Sequence, residues 1–244
     1  MPSPSYIILI ALAIAALSYR SAEGQSIDTT FRIIPERSIS ELRSMAAVSV
    51  PPQEEGEFRE PDLVDLASLD APLKLDIRYA SADNFMGAVF YASSRAFLQR
   101  PAAAALEEAA LELSKKGFGV IVFDGYRPWF VTKMFWEATP DSLKHFVAPP
   151  GSGSRHNRGA AVDVGLYDLD TGAPIVMPSG YDEFTERAHA AYQGGSEAAR
   201  RHRDLLRNAM ESHGFAVNPT EWWHFDHEEW REYPIMNVTF EEID

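Results

Sequence analysis

Four residues hold most of the chemistry this chain can do: His156, Asp163, Glu221 and His224. They fall in two stretches, Ser154-Arg155-His156-Asn157-Arg158-Gly159-Ala160-Ala161-Val162-Asp163 and Glu221-Trp222-Trp223-His224-Phe225. Two imidazoles and one carboxylate are a common protein-ligand count for catalytic zinc, with the fourth position left to water. A further carboxylate beside such a centre is what a hydrolytic site needs as general base, and Glu221 is at hand. A lone histidine is more often a satisfied structural residue than a ligand, so no single position decides the matter. The absence of cysteine removes thiolate ligands, a cysteine nucleophile and disulfides together. His202 and His213 ride on a helical segment and read as surface or capping residues.

The elements that must position these side chains follow from local pattern. Ala161 to Leu166 reads as a strand that carries Asp163, and Gly159-Ala160-Ala161 leaves room for backbone to pass close to an ion. Gly119 to Phe123 is a buried strand that ends in Asp124-Gly125-Tyr126-Arg127-Pro128. An Arg at such a strand-to-turn junction sits where sites form, and a plain salt bridge from Arg127 to Asp124 is the alternative. Pro101 to Lys116 is the strongest helix, Ala- and Leu-rich, with Pro at its start and Gly117 after its end. Phe130 to Trp136 and Ser196 to His213 read as further helices. Alternation marks strands at Asp62–Leu66 and Leu73–Tyr79, and Phe90-Tyr91 reads as a short one. Asp170-Thr171-Gly172 suits a hairpin turn, with Ile175–Met177 as the returning strand.

Composition narrows the function classes. The net charge is −14, from 36 acidic and 22 basic residues. That balance argues against nucleic acid as partner, because phosphate binding needs clustered Lys and Arg. Ile7 to Leu17 is an apolar run shorter than the about 20 residues a span requires, and its length suits a secretory signal. Small residues at Ala22 and Gly24 place the cut after Gly24. Residues 1–24 therefore read as a signal peptide, and the protein as exported, periplasmic or secreted, with no stable membrane span left. No Lys or Arg precedes the run, so an uncleaved anchor is the alternative. Residues 25–60 read as an irregular acidic extension with a short helix over Ser40–Val48, and 61–244 as one catalytic domain.

Ser-x-His-x-x-Gly-x-Ala-x-Asp from Ser154 to Asp163, with Glu-x-x-His from Glu221 to His224, resembles the zinc D,D-peptidases that process cell-wall peptides. Asp124 to Pro128, Asp83-Asn84-Phe85 and Glu221 to Phe225 look closest to the D-alanyl-D-alanine dipeptidase branch, found in vancomycin resistance and dipeptide use. The resemblance covers roughly Leu63 to Asn237. It implies an α+β fold, hedgehog/D,D-peptidase-like, with a central mostly antiparallel sheet flanked by helices. It implies one zinc per chain on His156, Asp163 and His224, with Glu221 as base and Arg127 steadying the tetrahedral oxyanion. Ser154 would hold the carboxylate of a small D,D-dipeptide, Asp182 would meet its ammonium, and Tyr79 would line the pocket. The implied reaction is cleavage of D-Ala-D-Ala to two D-alanines. Two rivals are a zinc D,D-carboxypeptidase acting on stem peptides and a zinc-bearing binding module without catalysis; Glu221 and Arg127 argue against the latter. Asp182 has a second reading, as a helix N-cap. Arg155 and Asn157 depart from the small hydroxyl residues that flank this histidine in the resistance enzymes.

Overall fold

The computed structural model describes residues 30–243. The apolar run at Ile7–Leu17 and the cut after Gly24 lie outside them. Seven strands form among the described residues: β1 (Leu63–Asp65), β2 (Leu73–Leu75), β3 (Phe97–Gln99), β4 (Phe118–Asp124), β5 (Ala161–Asp168), β6 (Phe215–Asn218) and β7 (Glu221–His227). Four α-helices accompany them: α1 (Ile39–Ala47), α2 (Arg100–Ser114), α3 (Trp129–Ala138) and α4 (Glu197–Ser212). β1 and β3 make a small antiparallel ribbon. The other five strands form one sheet in the order β2-β4-β5-β7-β6, antiparallel except for the β2–β4 pair. This is the α+β architecture with a mostly antiparallel sheet that the family resemblance implies.

The centre of the sheet buries its main apolar set on one face, while Ile121, Phe123 and Tyr167 form a smaller buried group on the other. Val120, Val122, Val162, Val164 and Phe225 are all fully buried. α2 starts with Pro101 in its first turn and buries Ala102, Ala103, Leu106, Ala109, Ala110 and Leu113 along one stripe. That stripe follows the helical period and packs on β4 and α4. α4 is capped by the Ser196 hydroxyl and turns Ala199, Leu206, Ala209 and Met210 inward, while Arg201 pairs with Glu197 and Arg207 with Glu211 along the outside.

Several local expectations give way to geometry. The Leu73 strand stops at Leu75, and Arg78–Ala80 forms a 3-10 turn. Phe90-Tyr91 is not a strand: both backbone N–H groups donate to the Tyr79 carbonyl, which leaves no ladder. Ile175–Met177 does not return as a strand either. Only a bridge between Tyr167 and Pro174 forms, because prolines at 174 and 178 remove the donors a ladder needs. The three-residue β3 carries no alternation, since all of it is buried.

Residues 30–58 pack onto the domain. α1 begins at Ile39 with Ser38 as its cap, not Ser40, and the box closes through Glu41. Its buried Leu42 and Ala46 lie on the face that meets α3. Further on, the Glu54 carboxylate accepts from Arg158 and from the Ile235 backbone N–H at 2.6 Å. Arg158 is buried and also donates to the Tyr233 carbonyl at 2.5 Å. Hydrogen bonds to charged groups contribute about 1.5–3 kcal/mol each. Glu54→Gln is expected to lower unfolding free energy by about that amount, read from denaturant titration with zinc in excess. An unchanged midpoint would mean that the pair stabilises nothing.

Candidate active site

The first histidine sits in a 3-10 turn, Arg155–Arg158, built to hold it still. The Ser154 hydroxyl caps the turn by accepting from the His156 N–H, and the Asn157 side chain accepts from the Ser154 N–H at 2.7 Å. The amide of Asn157 then donates to the Arg127 carbonyl and the Thr132 hydroxyl, both at 2.8 Å. Gly159 ends the turn in the left-handed region at φ 65°, where a side chain would be strained. Gly125 serves differently: a Cβ there would come within 2.8 Å of the Phe97 carbonyl oxygen. The Gly125 carbonyl itself meets His156 Nδ1 at 2.7 Å. That hydrogen bond assigns the proton to Nδ1 and leaves the Nε2 lone pair facing inward.

The other two ligands come from the sheet. Asp163 on β5 and His224 on β7 are directly opposite partners, and Asp124 on β4 is the neighbour of Asp163 on the other side. Three adjacent strands thus place one row of chemistry across the sheet. His224 Nε2 lies 2.8 Å from Asp226 Oδ1, so its Nδ1 turns to the centre. Asp226 in turn lies 3.5 Å from Arg155 Nε. His156 Nε2, His224 Nδ1 and Asp163 Oδ1 stand 3.1 to 3.3 Å apart. Three atoms held about 2.0–2.1 Å from one tetrahedral zinc would lie about 3.3–3.4 Å apart. Asp163 Oδ1 is buried and has no hydrogen-bond partner, the orphan that an ion would satisfy. Among the described residues this is the one cluster with the makings of a metal site.

The electrostatics agree. Burial raises the Asp163 carboxyl, but the two imidazoles outweigh it and hold the group far below the usual carboxylate range. Burial lowers His224, but Asp226 and Asp163 outweigh that and push it well above an ordinary imidazole. The negative charge that would keep a proton between His224 and Asp163 is the charge that favours a dication there. Metal binding then proceeds with proton release.

Glu221 opens β7 and its Oε2 lies 3.7 Å from His224 Nδ1. Asn218 donates to the same oxygen at 2.9 Å. Burial raises the Glu221 carboxyl above its usual range. Arg127 satisfies both readings of its position. Its Nε and Nη2 pair with Asp124 Oδ2 at 2.9 and 2.7 Å, and it lines the same cleft as the triad. Asp124 is anchored in turn by the Tyr91 hydroxyl at 2.8 Å.

The cleft over the triad encloses about 240 Å³, less than the roughly 300–1,000 Å³ of ordinary small-molecule pockets. Tyr79, Arg127, Ser154, Asp182 and Glu221 all line it with the three ligands, and Phe85, Phe135, Phe146 and Phe184 add an apolar wall. Asp182 is no helix cap: the next turn, Glu186–Ala188, is capped by Thr185. The Asp182 carboxylate is 6% exposed and accepts from the Tyr79 hydroxyl at 2.9 and 3.2 Å. Burial, and then the nearby Asp163, push its carboxyl well above the usual range.

Sequence reasoning missed Asp226, Asn218, Asn157 as a staple, and Tyr181. Asp226 had a signal, since residues two apart on a strand share a face. Ser154-x-x-Asn157 had one too, as a capping pattern. Tyr181 and Asn218 had none.

The family described as Peptidase_M15, D-ala-D-ala dipeptidase, matches residues 59–242. A D-alanyl-D-alanine dipeptidase of Escherichia coli (strain K12) is 36% identical over 179 residues, covering 73% of this chain and 91% of that protein. One from Enterococcus faecalis is 34% identical over 174 residues, covering 63% and 85%, and one from Streptomyces coelicolor is 31% identical over 185 residues, covering 67% and 90%. With the matched segment containing the whole His-Asp-His triad, the chain belongs to this family of zinc peptidases, the D-ala-D-ala dipeptidase type of Peptidase_M15.

Proposed function

We propose that the protein hydrolyses the D-Ala-D-Ala dipeptide with one zinc ion held by His156, Asp163 and His224. The observation that carries this reading is Asp182. It is a buried carboxylate at the cleft whose hydrogen-bond donor is the neutral Tyr79 hydroxyl, and among the described residues no Lys or Arg forms an ion pair with it, Arg127 being committed to Asp124. An unpaired buried charge is costly, and the ammonium of a free dipeptide is the complement that relieves it. A chain-ending peptidase must instead leave that side open. Because burial favours the protonated carboxyl, ammonium binding should take up an ionised Asp182 and weaken as pH falls through its raised pKa.

The remaining residues fit in order. Ser154 keeps its hydroxyl hydrogen free while its oxygen caps the turn, so it can donate to the substrate carboxylate. The bound ion would supply Lewis acidity and a water of lowered pKa. Glu221 takes the proton of the attacking water and delivers it to the leaving amine. Arg127, fixed by Asp124, presents its charge to the carbonyl oxygen as that atom gains charge. The apolar run at Ile7–Leu17 supports a place of work outside the cytoplasm, where cell-wall peptides lie.

Asp182→Asn tests the reading. It should keep fold and zinc and lower kcat/KM for D-Ala-D-Ala at least about tenfold, or about 1.36 kcal/mol. The residual rate on N-acetyl-D-Ala-D-Ala should hardly change. Equal losses on both substrates would sink the ammonium assignment. Efficient release of D-Ala from a stem pentapeptide by the wild-type protein, with poor turnover of the dipeptide, would make it a carboxypeptidase.

A further inference from the structure

Asp163 has two oxygens, and the structure treats them differently. Oδ1 is the orphan that faces His156 Nε2 and His224 Nδ1. Oδ2 accepts a hydrogen bond from the Tyr181 hydroxyl at 2.9 Å. Arg127 Nη2 stands 3.9 Å from Oδ2, outside hydrogen-bond range, and is committed to Asp124. The proton count supports the assignment of donor. The Tyr79 hydroxyl spends its single proton on Asp182, and the Tyr181 hydroxyl lies 3.3 Å from that of Tyr79. The single Tyr181 proton has two acceptors in reach, and the shorter, charge-assisted contact to Asp163 Oδ2 at 2.9 Å takes it over the 3.3 Å contact to the neutral Tyr79 hydroxyl.

The ring of Tyr181 cannot drift. It lies against Phe123 at 4.7 Å between centroids and edge-on to Trp223 at 5.5 Å. The backbone is shaped for the purpose as well. Asp182 has φ 55°, the one positive value at a non-glycine among the described residues. Successive side chains of an extended segment point to opposite sides. The left-handed turn at Asp182 lets Tyr181 reach the metal triad while Asp182 reaches the Tyr79 end of the same cleft.

We propose that Tyr181 is a positioning residue for the metal, holding Asp163 to one-oxygen coordination by occupying its second oxygen. The inference rests on zinc being bound by the triad. A carboxylate with both oxygens free can chelate an ion. That would fill the position an attacking water needs. A donor on Oδ2 keeps the carboxylate turned so that Oδ1 alone points inward. Through the Tyr181-Asp182 peptide the same strained turn also sets the substrate end of the pocket, so the metal geometry and the ammonium partner are positioned by one element.

The test is Tyr181→Phe in the full chain, which keeps the packed ring and removes only the hydroxyl. Loss of an outer partner of a ligand typically weakens metal affinity 10–100-fold. Zinc affinity, measured by competition with a chelator, should fall about tenfold. The cobalt-substituted variant should show weaker, shifted visible bands, as expected when a four-coordinate ion gains a fifth ligand. The metal-free variant should melt somewhat earlier, by the one hydrogen bond lost to Asp163, while its near-UV circular dichroism matches that of the metal-free wild type, which separates positioning from general packing. Unchanged zinc affinity with an unchanged cobalt spectrum would overturn this inference alone. A wild-type protein that holds no zinc would overturn it together with the proposed function.

Discussion

Glu221→Gln is expected to keep zinc and fold while lowering kcat for D-Ala-D-Ala by about 10²–10⁴-fold, the usual contribution of a positioned general base. The substitution preserves size and the acceptor that takes the Asn218 amide, 2.9 Å away, and removes only the ability to carry a proton. KM should change little, because the loss falls on the transition state. The pH profile should change with it. Burial raises the Glu221 carboxyl, so the wild-type rate falls as pH drops through that raised pKa and the base becomes protonated. The variant should lose this acid limb. Steady-state kinetics across pH decides the case, and wild-type turnover by the variant would assign the proton to another group.

His224→Ala should abolish hydrolysis and zinc retention together. Two ligands cannot replace three, and the loss strands the buried Asp163 carboxylate and removes a partner from the half-buried Asp226, which the imidazole bridges at 3.1 and 2.8 Å. Removing one partner of such a buried arrangement costs about 3–5 kcal/mol, so the metal-free variant should also melt earlier than the metal-free wild type. The sign of the pH dependence is fixed by the raised His224 pKa. In the metal-free wild type this stabilisation is complete below the unfolded histidine pKa of about 6.5. It is lost as pH rises through the higher folded value. Excess zinc should hide the loss, since a ligand at about 1,000 times its Kd adds about 4.1 kcal/mol. Full zinc content in the variant by elemental analysis would remove His224 from the site.

The metal triad is readable from the sequence because each ligand sits in a short motif of fixed spacing, and glycines mark where backbone must come close. The register that sets Asp163 opposite His224 is not readable that way, since it is decided by strands β5 and β7 pairing across about sixty residues of chain. Asp182 shows the limit from the other side. Its local sequence suits a helix cap as well as a cleft residue, and only the tertiary placement of the Tyr79 hydroxyl shows that the carboxylate is buried at the cleft. Tyr181 is harder still, because nothing in Pro178-Ser179-Gly180-Tyr181 announces a left-handed residue to follow. The cap of α1 was within reach: counting back three from Glu41 finds Ser38.

The strap formed by residues 30–58 has a kinetic consequence. Glu54 reaches partners 104 and 181 positions away, at Arg158 and Ile235. Contacts of such long separation form late, after the surfaces they need exist. On a chain made from its N-terminus, the strap is among the first described segments to emerge and among the last to dock. Contacts absent from the folding transition state change the unfolding rate and leave the folding rate alone. The strap is then a brake on opening, applied to Arg158 two residues from a metal ligand. Its expected signature is a chevron for Glu54→Gln in which the unfolding arm rises and the folding arm superimposes on that of the wild type; a slower folding arm would place the strap in the nucleus instead.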